Sequence, residues 1–221
     1  MGKQDVAPHK ALQAAAFHRD LAVDHKVQEP LLKRPLDFAL AAFGLTLSLP
    51  LWILISAAIC LEDRRPILFI QKRVGKGGKE FRAYKFRTIY TRYDDEVRQG
   101  VAVHSNDHKV MLVGRFLRQT ALNELPQLLN ILRGDMSFVG PRPEPPEFIA
   151  AYEREVPKLG RIRYQIRPGL TGVAQVFGRH NTSPRNKLRY DLFYMRRRSF
   201  WLDIKLIAIS VWNTVRAKWD A

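Results

Sequence analysis

The longest apolar run in the chain extends from Phe38 to Leu61, FALAAFGLTLSLPLWILISAAICL, which is 24 residues without a charged side chain. A helix of this length can cross the hydrocarbon core of a bilayer, which is roughly 30 Å thick. Pro50 lies near the middle of the run, where its missing N–H removes a helical hydrogen bond and bends a helix. The pattern therefore predicts a membrane helix over residues 30–65 that is broken at Ser48 and Pro50.

Basic residues flank both ends of this apolar run. Lys33 and Arg34 precede it, and Arg64 and Arg65 follow it. Because Lys and Arg accumulate on the cytoplasmic side of membrane helices, a similar charge at both ends favours a course in which both ends stay on that side. A re-entrant helix that bends at Pro50 and returns to the same face explains both observations. A kinked spanning helix is the alternative that the hydropathy pattern leaves open.

Residues 66–87 have the composition of two strands joined by a glycine turn. The arms ILFIQKRV and KEFRAYKF are rich in β-branched and aromatic residues, and GKGG connects them. This pattern is typical of a β-hairpin. A phosphate-binding loop is the less favoured alternative, since no helical pattern follows the glycines.

A helical pattern begins after Asn123 and carries leucine and isoleucine at residues 125, 128, 129, 131 and 132. Pro126 is tolerated in the first turn of a helix, and Gly134 is a common C-terminal stop. The sequence therefore predicts a helix with Asn123 as its N-cap and Glu124 in its first turn. An ordinary capped helix explains this segment as well as a catalytic site does.

The last part of the chain, residues 199–221, places tryptophans at helical spacing and predicts an amphipathic helix. Its apolar face can meet lipid, the protein core or a second copy of the chain, so a homodimer is one open prediction. The fold class that we predict is α/β, a small compact cytosolic domain with a β-hairpin and several amphipathic helices. The predicted divisions are a polar segment, the membrane helix, the compact domain and the C-terminal helix, at residues 1–29, 30–65, 66–198 and 199–221.

The net charge of +16 indicates an anionic partner. Between Arg161 and Arg198 there are ten basic residues and one acid, Asp191. Such a stretch suits anionic lipid or a diphosphate, although a solvated basic surface has the same composition. A membrane-tethered nucleic-acid-binding protein is the main rival, but no helix-turn-helix, zinc-finger or RNA-binding signature is present. We therefore predict no nucleic-acid partner.

The segment that ends in Pro141-Arg142-Pro143 follows the helix that begins near Glu124. Arginine binds two phosphate oxygens at once through its planar guanidinium, and the prolines restrain the backbone on either side of Arg142. A structural ion pair is the alternative role for Arg118 and for Arg142. The predicted phosphate or nucleotide contacts are Lys85, Arg87, Arg118, Arg142 and Pro143.

Four stretches in fixed order carry a resemblance to a known family. They are KRPLD, FIQKRVGKGGKEFRAYKFRT, GRFLRQTALNELPQLLNILRGDMSFVGPRP and RPGLTGVAQVFGR, which begin at residues 33, 69, 114 and 167. Together they make the chain similar to the bacterial sugar transferases, the monotopic polyprenyl-phosphate phosphoglycosyltransferases. The resemblance runs from Lys33 to about Trp212 and rests on several motifs, which makes chance agreement very improbable.

The resemblance implies an enzyme of the bacterial inner membrane that works at the cytoplasmic face and has a re-entrant membrane helix. It implies that a sugar 1-phosphate moves from a UDP-sugar to a polyprenyl phosphate such as undecaprenyl phosphate, with release of UMP, as the first step of a surface glycan. In the family an Asp-Glu pair occupies the positions of Asn123 and Glu124. The aspartate attacks the β-phosphorus, and Mg²⁺ near the glutamate offsets the diphosphate charge. The sugar itself is not specified.

The chain departs from this pattern at the predicted nucleophile, because Asn123 stands in the position of the aspartate. A neutral carboxamide oxygen attacks phosphorus poorly. Three readings of the chain are open: an inactivated variant, a natural enzyme in which Glu124 or another acid replaces the aspartate, or a substrate-binding scaffold without activity. The other motifs are intact, which favours a transferase or its inactivated variant over a scaffold.

Overall fold

The computed structural model describes residues 29–94, 107–155, 162–178 and 183–219. The helices and strands are α1 (Lys33–Asp63), β1 (Leu68–Val74), β2 (Glu80–Phe86), α2 (Leu112–Gln119), α3 (Gln127–Arg133), β3 (Ser137–Val139), α4 (Pro146–Glu155), β4 (Gly169–Thr171), α5 (Val173–Phe177), α6 (Pro184–Arg197) and α7 (Phe200–Val215). The predicted mixture of helices and strands is confirmed. Of the predicted polar segment 1–29, all but Glu29 lies outside the described residues.

The predicted hairpin is confirmed. Strands β1 and β2 pair in antiparallel register, with Ile70 opposite Tyr84. In the turn between them, Gly77 and Gly78 have φ angles of 71° and 77°. Residues with a Cβ rarely adopt such angles, so glycine is required at both positions. The hairpin holds Lys85, near the end of β2, in a fixed direction.

A second sheet consists of two very short parallel strands, β3 and β4, with Val139 opposite Thr171. The two segments approach so closely that a Cβ on Gly169 would lie 2.1 Å from the backbone nitrogen of Gly140. Only glycine permits this contact. The pairing places the Pro141-Arg142-Pro143 segment beside the segment that contains Arg167.

Helix α1 contacts the rest of the domain through both of its halves. In the first half, Ala41 packs in a cluster with Leu128 and Ile131. In the second half, Ile55 and Ile59 pack in a separate cluster. Other large apolar side chains of the helix are exposed, among them Phe38, Phe43, Leu47, Leu49, Ile53, Leu54 and Leu61. One side of α1 therefore belongs to the protein core, and the other is suited to lipid.

Within the described ranges, α1 is the one helix that is long and apolar enough to cross a membrane, as judged by length and composition alone. Only 11% of its most apolar window of 18 residues is buried, so it is not an ordinary core helix. The helix continues through Pro50, so the structure does not show the predicted break. Next to the proline, the Trp52 indole donates a hydrogen bond to the Ser48 hydroxyl.

The start of α1 is fixed by buried polar contacts. The Lys33 ammonium lies 2.6 Å from Asp203 Oδ2 in α7 and donates to the Tyr194 hydroxyl of α6 at 3.0 Å. Arg34 donates to the carbonyls of Ile131 and Leu132 at the C-terminal end of α3. These contacts join α1 to α3, α6 and α7.

The end of α1 is fixed in a similar way. The Glu62 carboxylate accepts hydrogen bonds from the backbone N–H groups of Leu112 and Val113 and thereby caps the start of α2. The buried guanidinium of Arg87 forms an ion pair with Asp63 and donates to the carbonyls of Asp63 and Arg64. Both ends of α1 are therefore attached to one compact domain.

Candidate active site

A carboxylate held between two cations lies at the centre of the candidate site. Glu124 Oε1 accepts a hydrogen bond from Lys85 Nζ at 2.7 Å and one from Arg142 Nη2 at 3.0 Å. The three residues come from strand β2, from a turn before α3 and from the loop after β3. The Glu124 side chain is 13% exposed, whereas Arg142 is 43% exposed and reaches solvent. The group can therefore meet a ligand from the Arg142 side.

The turn that carries Glu124 differs from the sequence prediction. Leu122–Glu124 forms a 3₁₀ turn, and α3 begins only at Gln127. The prediction that Asn123 caps α3 is therefore wrong. Pro126 has no N–H to donate into a continuous helix, so the chain makes a tighter turn first and starts α3 after the proline.

Ala121, just before this turn, has a φ angle of 56°. A left-handed conformation costs a residue with a Cβ on the order of 1 kcal/mol. The strained residue changes the direction of the chain between α2 and the turn. It thereby sets the orientation of Asn123 and Glu124.

The charges of the cluster shift two pKa values. Burial acts to raise the pKa of Glu124, but the charges of Arg142 and Lys85 outweigh burial and hold this pKa well below its usual range. Burial lowers the pKa of Lys85 to about 8, and the attraction of Glu124 only partly opposes this shift. Glu124 is therefore ionised at neutral pH, while Lys85 loses its proton just above it.

We expect anion binding at this site to weaken about tenfold between pH 7 and pH 9, because Lys85 is a cation below pH 8 and neutral above it. The dissociation constant of UDP, measured by calorimetry in buffer with EDTA, checks this expectation. The Lys85→Arg variant keeps its charge at both pH values and should lose the pH dependence. If that variant showed the same tenfold weakening, Lys85 would not be the titrating group.

The predicted site residues lie together in most cases. Five of them line one cavity of about 1410 Å³: Lys85, Arg118, Asn123, Glu124 and Arg142. Arg87 also borders the cavity, but its buried guanidinium bonds to the end of α1, and its predicted phosphate contact stays a prediction. Pro143 is buried, and its carbonyl accepts a hydrogen bond from Arg73.

Sequence reasoning did not identify several residues that line the same cavity, including Arg163, Lys187 and Ser210. For Arg163 and Lys187 a signal was present, since both belong to the stretch with ten basic residues and one acid. For Ser210 no signal was present, because a single serine is common in apolar helices that bind nothing.

The described residues contain no group of three or more His, Cys, Asp or Glu side chains that could hold a metal ion. Glu124 is nevertheless a suitable single ligand for Mg²⁺, which usually binds one or two carboxylates together with substrate phosphates. Both contacts to Glu124 involve Oε1, and within the described part of the chain no hydrogen bond or ion pair reaches Oε2.

Comparison with known proteins identifies the class to which this fold and site belong. The sequence model described as bacterial sugar transferase matches residues 28–217. The match covers most of the chain, including α1, the hairpin and the Lys85–Glu124–Arg142 cluster. The chain therefore belongs to the bacterial sugar transferase family.

Three relatives have descriptions that name their sugar nucleotide and their lipid acceptor. The chain is 43% identical over 192 residues to the UDP-glucose:undecaprenyl-phosphate glucose-1-phosphate transferase of Caulobacter vibrioides, covering 84% of this chain and 70% of that protein. It is 38% identical over 188 residues to the enzyme with the same description in Escherichia coli, covering 83% of this chain and 40% of that protein. It is 36% identical over 179 residues to the UDP-N-acetylgalactosamine-undecaprenyl-phosphate N-acetylgalactosaminephosphotransferase of Aeromonas hydrophila, covering 80% of this chain and 42% of that protein. The chain thus spans less than half of the E. coli and A. hydrophila proteins.

Proposed function

We propose that this protein transfers a sugar 1-phosphate from a UDP-sugar to undecaprenyl phosphate or a similar polyprenyl phosphate, with release of UMP. The observation that carries the proposal is the Lys85–Glu124–Arg142 cluster at the wall of a large cavity. Two cations beside one carboxylate suit a diphosphate and its metal ion. The names of the relatives support UDP as the nucleotide and undecaprenyl phosphate as the acceptor.

The residues of the cluster would have separate tasks. Lys85 and Arg142 would hold the non-reacting oxygens of the diphosphate and offset the negative charge that moves to UMP as it leaves. Glu124 would offer Oε2, which no hydrogen bond or ion pair reaches among the described residues, to a metal ion. Mg²⁺, when bound, supplies further charge neutralisation of the diphosphate. Asn123 lines the same cavity and stands where the family's aspartate would attack the β-phosphorus.

Release of UMP tests this proposal. The full chain in detergent or nanodiscs is supplied with UDP-glucose or UDP-N-acetylgalactosamine, Mg²⁺ and undecaprenyl phosphate, both as it stands and with Asn123→Asp. The proposal requires UMP release that depends on Mg²⁺ and transfer that depends on the lipid phosphate. Binding of the UDP-sugar without UMP release by either form would indicate a scaffold instead of an enzyme.

We further propose that α1 is re-entrant and that the domain lies on the cytoplasmic face of the membrane. A straight helix of 31 residues would be about 46 Å long. Its two ends, at Lys33 and Asp63, are nevertheless attached to the same domain, which supports placing both on one side of a bilayer. The basic residues at both ends support the cytoplasmic side.

Cysteine labelling distinguishes a re-entrant from a spanning helix. Pro30→Cys and Arg65→Cys are introduced separately into a Cys60→Ser background and treated with an impermeant maleimide in inverted membrane vesicles. A re-entrant helix gives labelling of both positions, whereas a spanning helix gives labelling of one.

Exposed apolar side chains on α7, among them Trp201, Trp212 and Val215, support a further contact with lipid. The homodimer stays a prediction.

A further inference from the structure

Two other arginines donate hydrogen bonds to backbone carbonyls of the segment that carries Arg142. Arg163 Nη2 donates to the carbonyl of Arg142 at 2.8 Å, and Arg73 Nη1 donates to the carbonyl of Pro143 at 2.8 Å. The next residue along, Glu144, accepts a backbone hydrogen bond from Val74 at the end of β1. The backbone on the C-terminal side of Arg142 is therefore fixed at three successive carbonyls.

Arg163 is itself oriented by a buried network of charges. Its side chain is 5% exposed, and its Nε lies 2.7 Å from Asp191 Oδ2 in α6. Its Nη1 lies 3.8 Å from Glu144 Oε1, which also pairs with Lys187 at 3.4 Å. Buried ion pairs of this kind add little net stability, because desolvation offsets their attraction. The network therefore calls for a role besides stability.

We propose that Arg163 is a positioning residue for the transfer reaction, one that fixes the Arg142 backbone so that the Arg142 guanidinium meets the diphosphate. The contacts run from Asp191 through Arg163 to the carbonyl of Arg142, whose own side chain reaches Glu124. The inference rests on the proposed function for the role of Arg142 and adds the residue that places it.

The physical reason lies in the exposure of Arg142. Its long side chain is 43% exposed and has many rotamers, so its reach depends on where its backbone lies. The prolines on either side restrict φ, and their carbonyls accept hydrogen bonds from the Gly169 N–H and from Arg73, but neither of these contacts is made to Arg142 itself. A misplacement of about 1 Å at a reacting group can lower a rate by about 100-fold. Among the three contacts described above, the one from Arg163 is made to the Arg142 carbonyl itself, so its loss would release the peptide group next to the Arg142 side chain.

A double-mutant cycle tests the inference through the dissociation constant of UDP with Mg²⁺, measured by calorimetry on the full chain in detergent. Arg142→Met and Arg163→Met are each expected to raise this constant about tenfold. In the Arg142→Met background, Arg163→Met should change it less than about twofold, because a residue that acts only through Arg142 has nothing left to place.

Two further variants separate positioning from general stability. Arg163→Lys keeps a cation that can donate to the Arg142 carbonyl and should recover part of the UDP affinity that Arg163→Met loses. If Arg163→Met does not fold, Arg163→Gln, which also removes the guanidinium, takes its place in the cycle. Arg167→Met is the matched control, because Arg167 also donates to a backbone carbonyl, that of Gly134, and pairs with an acid, Glu29. It should lower the unfolding temperature without changing UDP affinity.

The outcomes are distinct. Additive effects of Arg142→Met and Arg163→Met would overturn the inference, since Arg163 would then act on the ligand directly or on the fold as a whole. An unchanged dissociation constant in Arg142→Met would overturn it as well. Because UDP binding needs no turnover, these results are independent of UMP release, and absence of UMP release would count against the proposed function alone.

Discussion

Replacing Asn123 by aspartate is expected to raise the rate of UMP release at least about 100-fold. A carboxylate is a far better nucleophile toward phosphorus than a carboxamide, and loss of a nucleophile commonly costs an enzyme several orders of magnitude. The change keeps the shape of the side chain in the 3₁₀ turn Leu122–Glu124. Single-turnover measurements with Mg²⁺ and a UDP-sugar give the rate, and intact-protein mass spectrometry shows whether a sugar phosphate becomes attached to the protein.

Asn186→Asp is the matched control, because it makes the same chemical change at an exposed position of α6 and should leave the rate unchanged. Equal activity of the asparagine and aspartate forms at position 123 would place the nucleophile elsewhere, and Glu124 would be the next residue to replace. No activity in either form would favour the scaffold.

Replacing Lys33 by methionine is expected to lower the free energy of unfolding by about 3 to 5 kcal/mol, the usual cost of breaking a buried ion pair from one side. The side chains of Lys33 and Asp203 are 7% and 6% exposed, with 2.6 Å between their charged atoms. Without the ammonium group, Asp203 would keep the hydrogen bond from Tyr194 but would remain a buried charge without its cation. Denaturant or thermal unfolding in detergent measures the loss.

Lys72→Met provides the control for this prediction. Lys72 pairs with Glu80 at 3.4 Å, but its side chain is 71% exposed, so its loss should cost about 0 to 1 kcal/mol. A double variant with Lys33→Met and Asp203→Leu should recover much of the stability, since no buried charge remains. Equal losses in Lys33→Met and Lys72→Met would contradict the prediction.

Local patterns predicted much of the architecture. The apolar run predicted α1, the glycine turn predicted the hairpin, and Gly134 predicted the end of α3, where it has a φ angle of 91°. Each of these features depends on residues that are neighbours in sequence. Lys85, Glu124 and Arg142 also lie together, as expected if Glu124 holds a metal ion and the two cations contact phosphate; those roles stay predictions.

Contacts between residues that are distant in sequence, including the pairing of β3 with β4, were not predicted. Strands β3 and β4 have three residues each and exist because Gly140 and Gly169 allow a close approach between segments far apart in sequence. Arg163 is recognisable only once Asp191 and the Arg142 carbonyl lie beside it. The Asn123 cap was wrong because capping rules consider a helix start alone, whereas Ala121 turns the chain before α3 begins.

The ion pair between Lys33 and Asp203 also bears on how the protein is made. The two residues are 170 positions apart, so the ribosome delivers α1 long before the partner of its first lysine exists. At about 5 to 20 residues per second, this interval lasts roughly 10 to 30 s. During that time α1 is already available to enter the lipid, while the part of the domain that holds its first turn is still missing. We therefore expect α1 to meet the lipid before the domain is complete, and synthesis of α7 then adds the Lys33 ion pair to the contacts that α3 already makes with the start of α1.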